Sequence, residues 1–188
     1  VWVIFNEFRS VISQAVRTKR LLPVSLDSGA AKADAGGADY LYEPGPDVIL
    51  GTPSFVYHVL RTAREQGKKF SDVRMIVLGG EKTPEGMRRK ILSILSEMGS
   101  KQVNILGTYG FTEAKLAWGE CPAPHPNNSG YHLYPDLGVV EVVDPDSGKV
   151  KGEGEPGEIV YTPIDARGTV VIRYRTGDIV DGGVVWEP

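Results

Sequence analysis

Between residues 47 and 106 the chain alternates between short apolar runs and amphipathic helical stretches, and nothing else constrains its fold as much. Asp47-Val48-Ile49-Leu50-Gly51 reads as a short buried strand. Thr52-Pro53 then opens a helix, with Thr as N-cap and Pro at the first helical position. Phe55, Val56, Val59, Leu60 and Ala63 keep to one helical face, and Gly67 supplies a stop. The unit repeats. Val73 to Leu78 is an apolar strand and Gly79-Gly80-Glu81 a turn. Thr83-Pro84 opens a second helix with Met87, Ile91, Ile94, Leu95 and Met98 on one face, Gly99 ends it, and Val103 to Leu106 is a third strand. This alternation predicts an α/β fold, a parallel sheet covered by helices. Such sheets bind ligands at the loops that leave the C-terminal ends of their strands. Gly79–Glu81 and Tyr109–Glu113 both fall there.

The pattern changes after about residue 118. Residues 119–130 are rich in Pro, Gly and Asn. Val139 to Val143, Glu158 to Thr162 and Thr169 to Arg173 alternate or carry β-branched residues, with turn sequences such as Asp144-Pro145-Asp146-Ser147-Gly148 between them. We therefore expect an α/β subdomain over residues 1–118 and a small all-β subdomain over 119–188, both incomplete. Residues 1–20 read as an apolar strand or helix followed by a helix. Residues 25–46, rich in Gly, Ala and Asp, read as a loop.

With 188 residues, 41% of them hydrophobic, the chain can build a core. Its net charge of −3 leaves no broad basic face, so nucleic acid is not an expected partner. Arg61, Arg64, Lys68 and Lys69 read as a solvated helix face. A lone cysteine, Cys121, forms no internal disulfide, which favours a reducing, cytoplasmic setting. No apolar run approaches membrane-span length, so no membrane partner is expected. The chain opens on Val1-Trp2-Val3 and closes on Trp186-Glu187-Pro188, which reads as a central piece of a longer protein.

Tyr109-Gly110-Phe111-Thr112-Glu113 and Tyr174-Arg175-Thr176-Gly177-Asp178 each set an aromatic ring, a Gly, a hydroxyl and a carboxylate within five residues. Tyr109 offers a flat face to a purine, and such stacks are worth about 1–3 kcal/mol. Gly110 lets backbone approach a ligand. The Thr112 hydroxyl suits a phosphate oxygen, and the Glu113 carboxylate suits Mg²⁺. Asp178 suits the paired hydroxyls of a ribose. Each segment, taken alone, fits a plain turn better than a site, and so does Gly79-Gly80-Glu81.

As an ordered set, Gly79-Gly80-Glu81, Tyr109–Glu113, Gly157-Glu158-Ile159 and Tyr174–Asp178 resemble the acyl-adenylate-forming superfamily. Thr52-Pro53-Ser54, His132-Leu133-Tyr134-Pro135 and Ile172-Arg173-Tyr174-Arg175-Thr176 look most like phenylacetate–CoA ligase and coenzyme F390 synthetase relatives. The resemblance covers roughly residues 45–188. It implies that Tyr109 stacks on adenine, with Gly79, Gly80 and Glu81 on the base's other side and the Gly110 backbone close to the nucleotide. It implies that Thr112 contacts the α-phosphate, Glu113 holds Mg²⁺ and Asp178 binds the ribose. Arg175 either supports that site or braces the β subdomain. The implied cofactors are ATP (leaving as AMP), Mg²⁺ and coenzyme A. The implied partner is a small carboxylic acid, aryl acids favoured, and a homodimer is compatible with it. The superfamily's upstream phosphate loop and its C-terminal lysine domain are not in this sequence, so we expect the piece alone to lack the full reaction. An adenylyltransferase and a non-catalytic nucleotide- or partner-binding module are the alternatives. Cys121, His125 and His132 lie within twelve residues. By the same resemblance Cys121 and His132 are candidate structural Zn²⁺ ligands in the intact protein, the other reading being an inert thiol and surface imidazoles. His58 reads as an ordinary helix residue.

Overall fold

The computed structural model describes residues 21–24, 46–120, 130–164, 166–168 and 170–186. The readings made for residues 1–20 and 25–45 lie outside these residues, as do Cys121 and His125. The described residues hold β1 (Leu21–Val24), β2 (Val48–Gly51), helix α1 (Pro53–Glu65), β3 (Met75–Leu78), helix α2 (Glu85–Met98), β4 (Asn104–Tyr109) and β5 (Trp118–Gly119). These strands form one sheet in the order β1-β2-β3-β4-β5. β1 to β4 run parallel, as the strand–helix alternation predicts. β1 was not expected. Four residues with an internal proline carry no period to read, and the strand is recognisable only through its pairing with β2.

Register places Ile49, Ile76 and Ile105 side by side across the sheet, and Gly51, Leu78 and Gly107 one pleat further on. Ile49, Ile76 and Leu78 are buried in one core with Val56, Leu60 and Ala63 of α1 and Ile91, Leu95 and Met98 of α2; Ile105 packs against it. Each helix thus turns one apolar stripe onto the strands, which is what its spacing requires. Gly99 ends α2 in a left-handed conformation, as expected.

Both helix starts differ from expectation. Thr52 holds the N-cap position of α1, but its hydroxyl makes no capping bond and is buried without a hydrogen-bond partner among the described residues. The cap comes from Glu81, whose carboxylate accepts the Ser54 N–H at 3.1 Å and the Ser54 hydroxyl at 2.8 Å. A negative group there also suits the helix dipole. At α2 the N-cap is Pro84 rather than Thr83.

Three antiparallel strands follow in the order β6-β7-β8: β6 (Gly138–Val143), β7 (Gly157–Pro163) and β8 (Tyr174–Val180). The third strand had been expected at Thr169–Arg173. Instead Ile172 and Arg173 form a bend, Arg173 sits at φ 50°, and Ile172 is 77% exposed. Thr169 lies outside the described residues; Val170, like Ile172, is exposed, and β-branched residues favour a strand chiefly where one of its faces is packed. β8 begins at Tyr174, so the Tyr174–Asp178 segment is itself strand.

By the density of its internal contacts the chain divides into two compact units. One is Val1–Tyr109 with Gly119–His132; the other is Gly110–Trp118 with Leu133–Pro188. The boundary runs through the Tyr109–Glu113 segment, and the chain passes between units at residues 110, 119 and 133. We predict that Glu81→Ala destabilises the chain by about 0.5–2 kcal/mol, as loss of a cap does. Thr52→Ala, which removes an unbonded hydroxyl, should cost less. Urea denaturation of the two variants checks the order.

Candidate functional site

In the first unit, the C-terminal ends of β3 and β4 carry four of the predicted residues. Gly79 N–H donates to the Gly51 carbonyl at 3.2 Å. A Cβ at Gly79 would lie 2.5 Å from the Thr108 hydroxyl oxygen, so any side chain there would displace that hydroxyl. That hydroxyl donates to the Leu78 carbonyl at 3.1 Å and ties the two strand ends together. Gly80 follows at φ 78°. Glu81, expected beside adenine, spends its carboxylate on the α1 cap and leaves its backbone to line the turn. Tyr109 is the last residue of β4, half-buried, with its ring 5.8 Å from that of Tyr131.

In the second unit, Gly110 is exposed, and Thr112–Ala114 make a single 3₁₀ turn. The ring of Phe111 holds that turn. Its centroid lies 5.7 Å from Trp118, 5.7 Å from Tyr161 and 5.8 Å from Tyr174, stacked on the last at 23°. Tyr174 also donates its hydroxyl to Glu113 Oε1 at 3.0 Å. The two segments singled out in the sequence therefore touch, through one hydrogen bond and one ring stack. The bond to Glu113 pushes the Tyr174 hydroxyl above its ordinary range, with burial and the carboxylate's charge adding to it. A carboxylate has about four lone-pair sites, so Glu113 keeps acceptor capacity for a hard cation after this bond. Thr112 is exposed.

Asp178 is exposed on β8 at a place fixed by its neighbours. The Thr176 hydroxyl donates to the Ile159 carbonyl at 3.0 Å and accepts the Asp178 N–H at 3.1 Å. Gly177 turns the strand at φ 78°, where the ladder shifts register opposite Glu158 and Val160. Glu158 holds that bulge. Its Oε1 accepts the Gly177 N–H at 3.0 Å, and its Oε2 accepts Arg175 Nε at 2.9 Å and Arg175 Nη2. Arg175 Nη2 also reaches the Pro145 carbonyl at 2.6 Å. Of the two readings of Arg175, these contacts are those of the brace. Glu158 is the residue sequence reasoning missed. It lies in the Gly157-Glu158-Ile159 segment, and a buried acid in a strand is the sequence signal of an arginine partner.

His132 keeps its Nε2 buried and without a hydrogen-bond partner among the described residues. Cys121 lies outside them, and among them no group of three metal-ligating side chains occurs. His58 is exposed on α1.

The hydrogen bond from Arg175 is the largest of the influences that hold the Glu158 carboxyl below the ordinary carboxylate range; burial opposes it, and Gly177 N–H and the Arg175 charge assist. A depressed folded value adds stability at pH above the unfolded value of about 4.3 and loses it as pH falls through the folded value. Melting temperature should therefore fall more steeply below pH about 4 in the wild type than in Glu158→Gln. Parallel profiles would remove Glu158 from that acid-side loss.

The family model described as "AMP-binding enzyme" matches residues 26–164. The phenylacetate-coenzyme A ligase of Thermus thermophilus is 32% identical over 136 residues, which cover 71% of this chain and 29% of that protein. The chain thus spans about 29% of the length of the ligases it matches. A separate likeness joins it to the ATP synthase gamma chain of Chlorobaculum parvum, 42% identical over 50 residues, or 27% of this chain and 16% of that one. Among solved structures, 2-hydroxyisobutyryl-CoA ligase in its postadenylation state superposes with a TM-score of 0.65 at 20% identity, covering 86% of this chain and 39% of that one. At that identity the likeness is one of fold. The family match extends over most of the sequence and takes in three of the four segments, and on that ground the chain belongs to the AMP-binding enzyme family.

Proposed function

We propose that this chain is the nucleotide-facing central part of an ATP-dependent carboxylic acid–CoA ligase of the phenylacetate–CoA ligase type. The observation that carries the reading is the direct bond from Tyr174 to Glu113, which couples the two segments expected to meet the nucleotide. Tyr109 would stack on adenine, with the Gly79–Glu81 backbone and Gly110 beside it. Thr112 would donate to the α-phosphate. Asp178, on its braced bulge, would accept the ribose hydroxyls. Glu113 would hold Mg²⁺, which when bound neutralises phosphate charge.

In the first half-reaction a substrate carboxylate oxygen attacks the α-phosphorus of ATP. The bond to the pyrophosphate oxygen breaks, giving acyl-AMP and pyrophosphate. In the second half-reaction the thiolate of coenzyme A attacks the acyl carbon and AMP leaves. This chain's residues serve the first step by orienting the nucleotide and by fixing charge around the phosphate. The phenylacetate-coenzyme A ligases it resembles favour an aryl acid as substrate, and the single cysteine, Cys121, favours a reducing, cytoplasmic setting. A structural zinc with Cys121 and His132 among its ligands is a further part of the proposal, supported by the buried Nε2 of His132, which has no hydrogen-bond partner among the described residues.

The test is ATP–pyrophosphate exchange by the intact enzyme that carries this sequence, across a panel of carboxylic acids. Aryl acids should support exchange, and product formation should require coenzyme A. A product released without any thiol would turn the reading toward an adenylyltransferase. In Glu113→Ala, exchange should fall by about two orders of magnitude or more, the scale of losing an electrostatic contact to the transferring group. Normal exchange in that variant would refute the metal assignment. Asp178→Ala should raise the KM for ATP by about tenfold while sparing the KM for the acid; equal effects on both would count against a ribose role.

A further inference from the structure

Beneath β4, on the face that α2 covers, two charged side chains are nearly buried. Arg88 of α2 is 11% exposed and Glu120, which follows β5, is 13% exposed. Arg88 Nη2 donates to both Glu120 oxygens, at 2.6 and 2.8 Å. Replacing such a pair with apolar residues is often neutral for stability, so stability alone does not account for it. Its contacts point to β4.

Glu120 grips Gly107 twice. The Glu120 N–H donates to the Gly107 carbonyl at 2.9 Å, and Glu120 Oε2 accepts the Gly107 N–H at 2.7 Å. A Cβ at Gly107 would lie 2.5–2.7 Å from the carboxylate atoms, so the glycine makes room for the charge. Side chains alternate along a strand, which puts Tyr109 on the same face two residues on. Glu120 is also paired by a backbone bridge with Tyr131. The Tyr131 ring is the one that lies 5.8 Å from Tyr109, tilted by 40°. Burial raises the Tyr131 hydroxyl above its ordinary range, the Glu120 charge adds to this, and Arg88 opposes it, so all three groups sit in one field.

We infer that Arg88 and Glu120 are positioning residues for the ring of Tyr109, acting through the grip on Gly107 and through Tyr131. The inference rests on the reading of Tyr109 as the adenine-stacking residue. The ion pair fixes the height of β4 at Gly107 and the place of Tyr131, and these two contacts set the position and tilt of the Tyr109 ring. Nucleotide affinity is then the property the pair controls.

The experiment uses the intact enzyme that carries this sequence and compares Glu120→Gln, Tyr131→Ala, Tyr109→Ala and the neutral pair Arg88→Gln with Glu120→Gln. In Glu120→Gln and Tyr131→Ala the KM for ATP should rise about tenfold while the KM values for the acid and for pyrophosphate stay within about twofold, because only the base contact is displaced. The neutral pair should be no worse than Glu120→Gln, since it leaves no unpartnered charge. Tyr131 is 45% exposed, so its variant keeps the test open even where Glu120→Gln fails to fold. A KM for ATP unchanged in both, with Tyr109→Ala raising it, overturns the inference and leaves the reading of the site intact. Equal rises in all three KM values also overturn it, since they mark a merely structural role. An unchanged KM for ATP in Tyr109→Ala itself overturns the reading of the site, and the inference with it.

Discussion

The seat of the Phe111 ring is the contact on which the second unit depends. Trp118 is buried, Tyr161 is buried, and their rings meet edge to face at 5.4 Å. Phe111 closes this cluster from a chain segment that has left β4 only two residues earlier. Aromatic side chains bury large areas and prefer such tilted or offset contacts, so one ring can fix a short connection that has little regular structure of its own. Gly110–Trp118 belongs to the unit of the antiparallel strands for this reason, although it follows the parallel sheet in sequence. Glu113 is carried along. Its bond with Tyr174 is a consequence of where Phe111 sits.

A second theme is that charged groups in this molecule serve backbone geometry. Glu81 caps α1, Glu120 with Arg88 grips β4 at Gly107, and Glu158 with Arg175 holds the β8 bulge. In each case a carboxylate accepts a backbone N–H at a helix start, a strand or a bulge. Buried or half-buried N–H groups must find acceptors, and strand ends and bulges are where the regular ladder supplies none. An acid placed there satisfies the donor and sets the loop in one conformation. Sites of this kind need that rigidity, because a misplaced contact loses most of its effect on a reacting group.

Much of the fold was legible. Two strand–helix repeats specify a parallel sheet, because the apolar period of each element leaves one face to bury and the crossovers leave the helices only the sheet to bury it on. The five-residue segments were also visible, as was Gly79, where any side chain would displace the Thr108 hydroxyl. The misses share a cause. β1 is recognisable only by its partner β2. The Thr169–Arg173 run looks like a strand by composition, yet the pairing of β8 with β7 begins at Tyr174. Thr52 looked like a cap, but an acid 27 residues away in sequence took that role from the adjoining turn.

The sequence alone determined the order of the elements, the buried face of each helix and the residue types available for nucleotide chemistry. These follow from local period and from side-chain chemistry, which are properties of neighbours along the chain. The tertiary structure decided what each acid engages: Glu81, Glu120 and Glu158 hold backbone, while Glu113 accepts the Tyr174 hydroxyl. It also decided that Arg175 braces a strand, and that Phe111 draws the segment after Tyr109 into the second unit. Such choices depend on pairings 13 to 61 residues apart in sequence, and pattern within a window cannot register them.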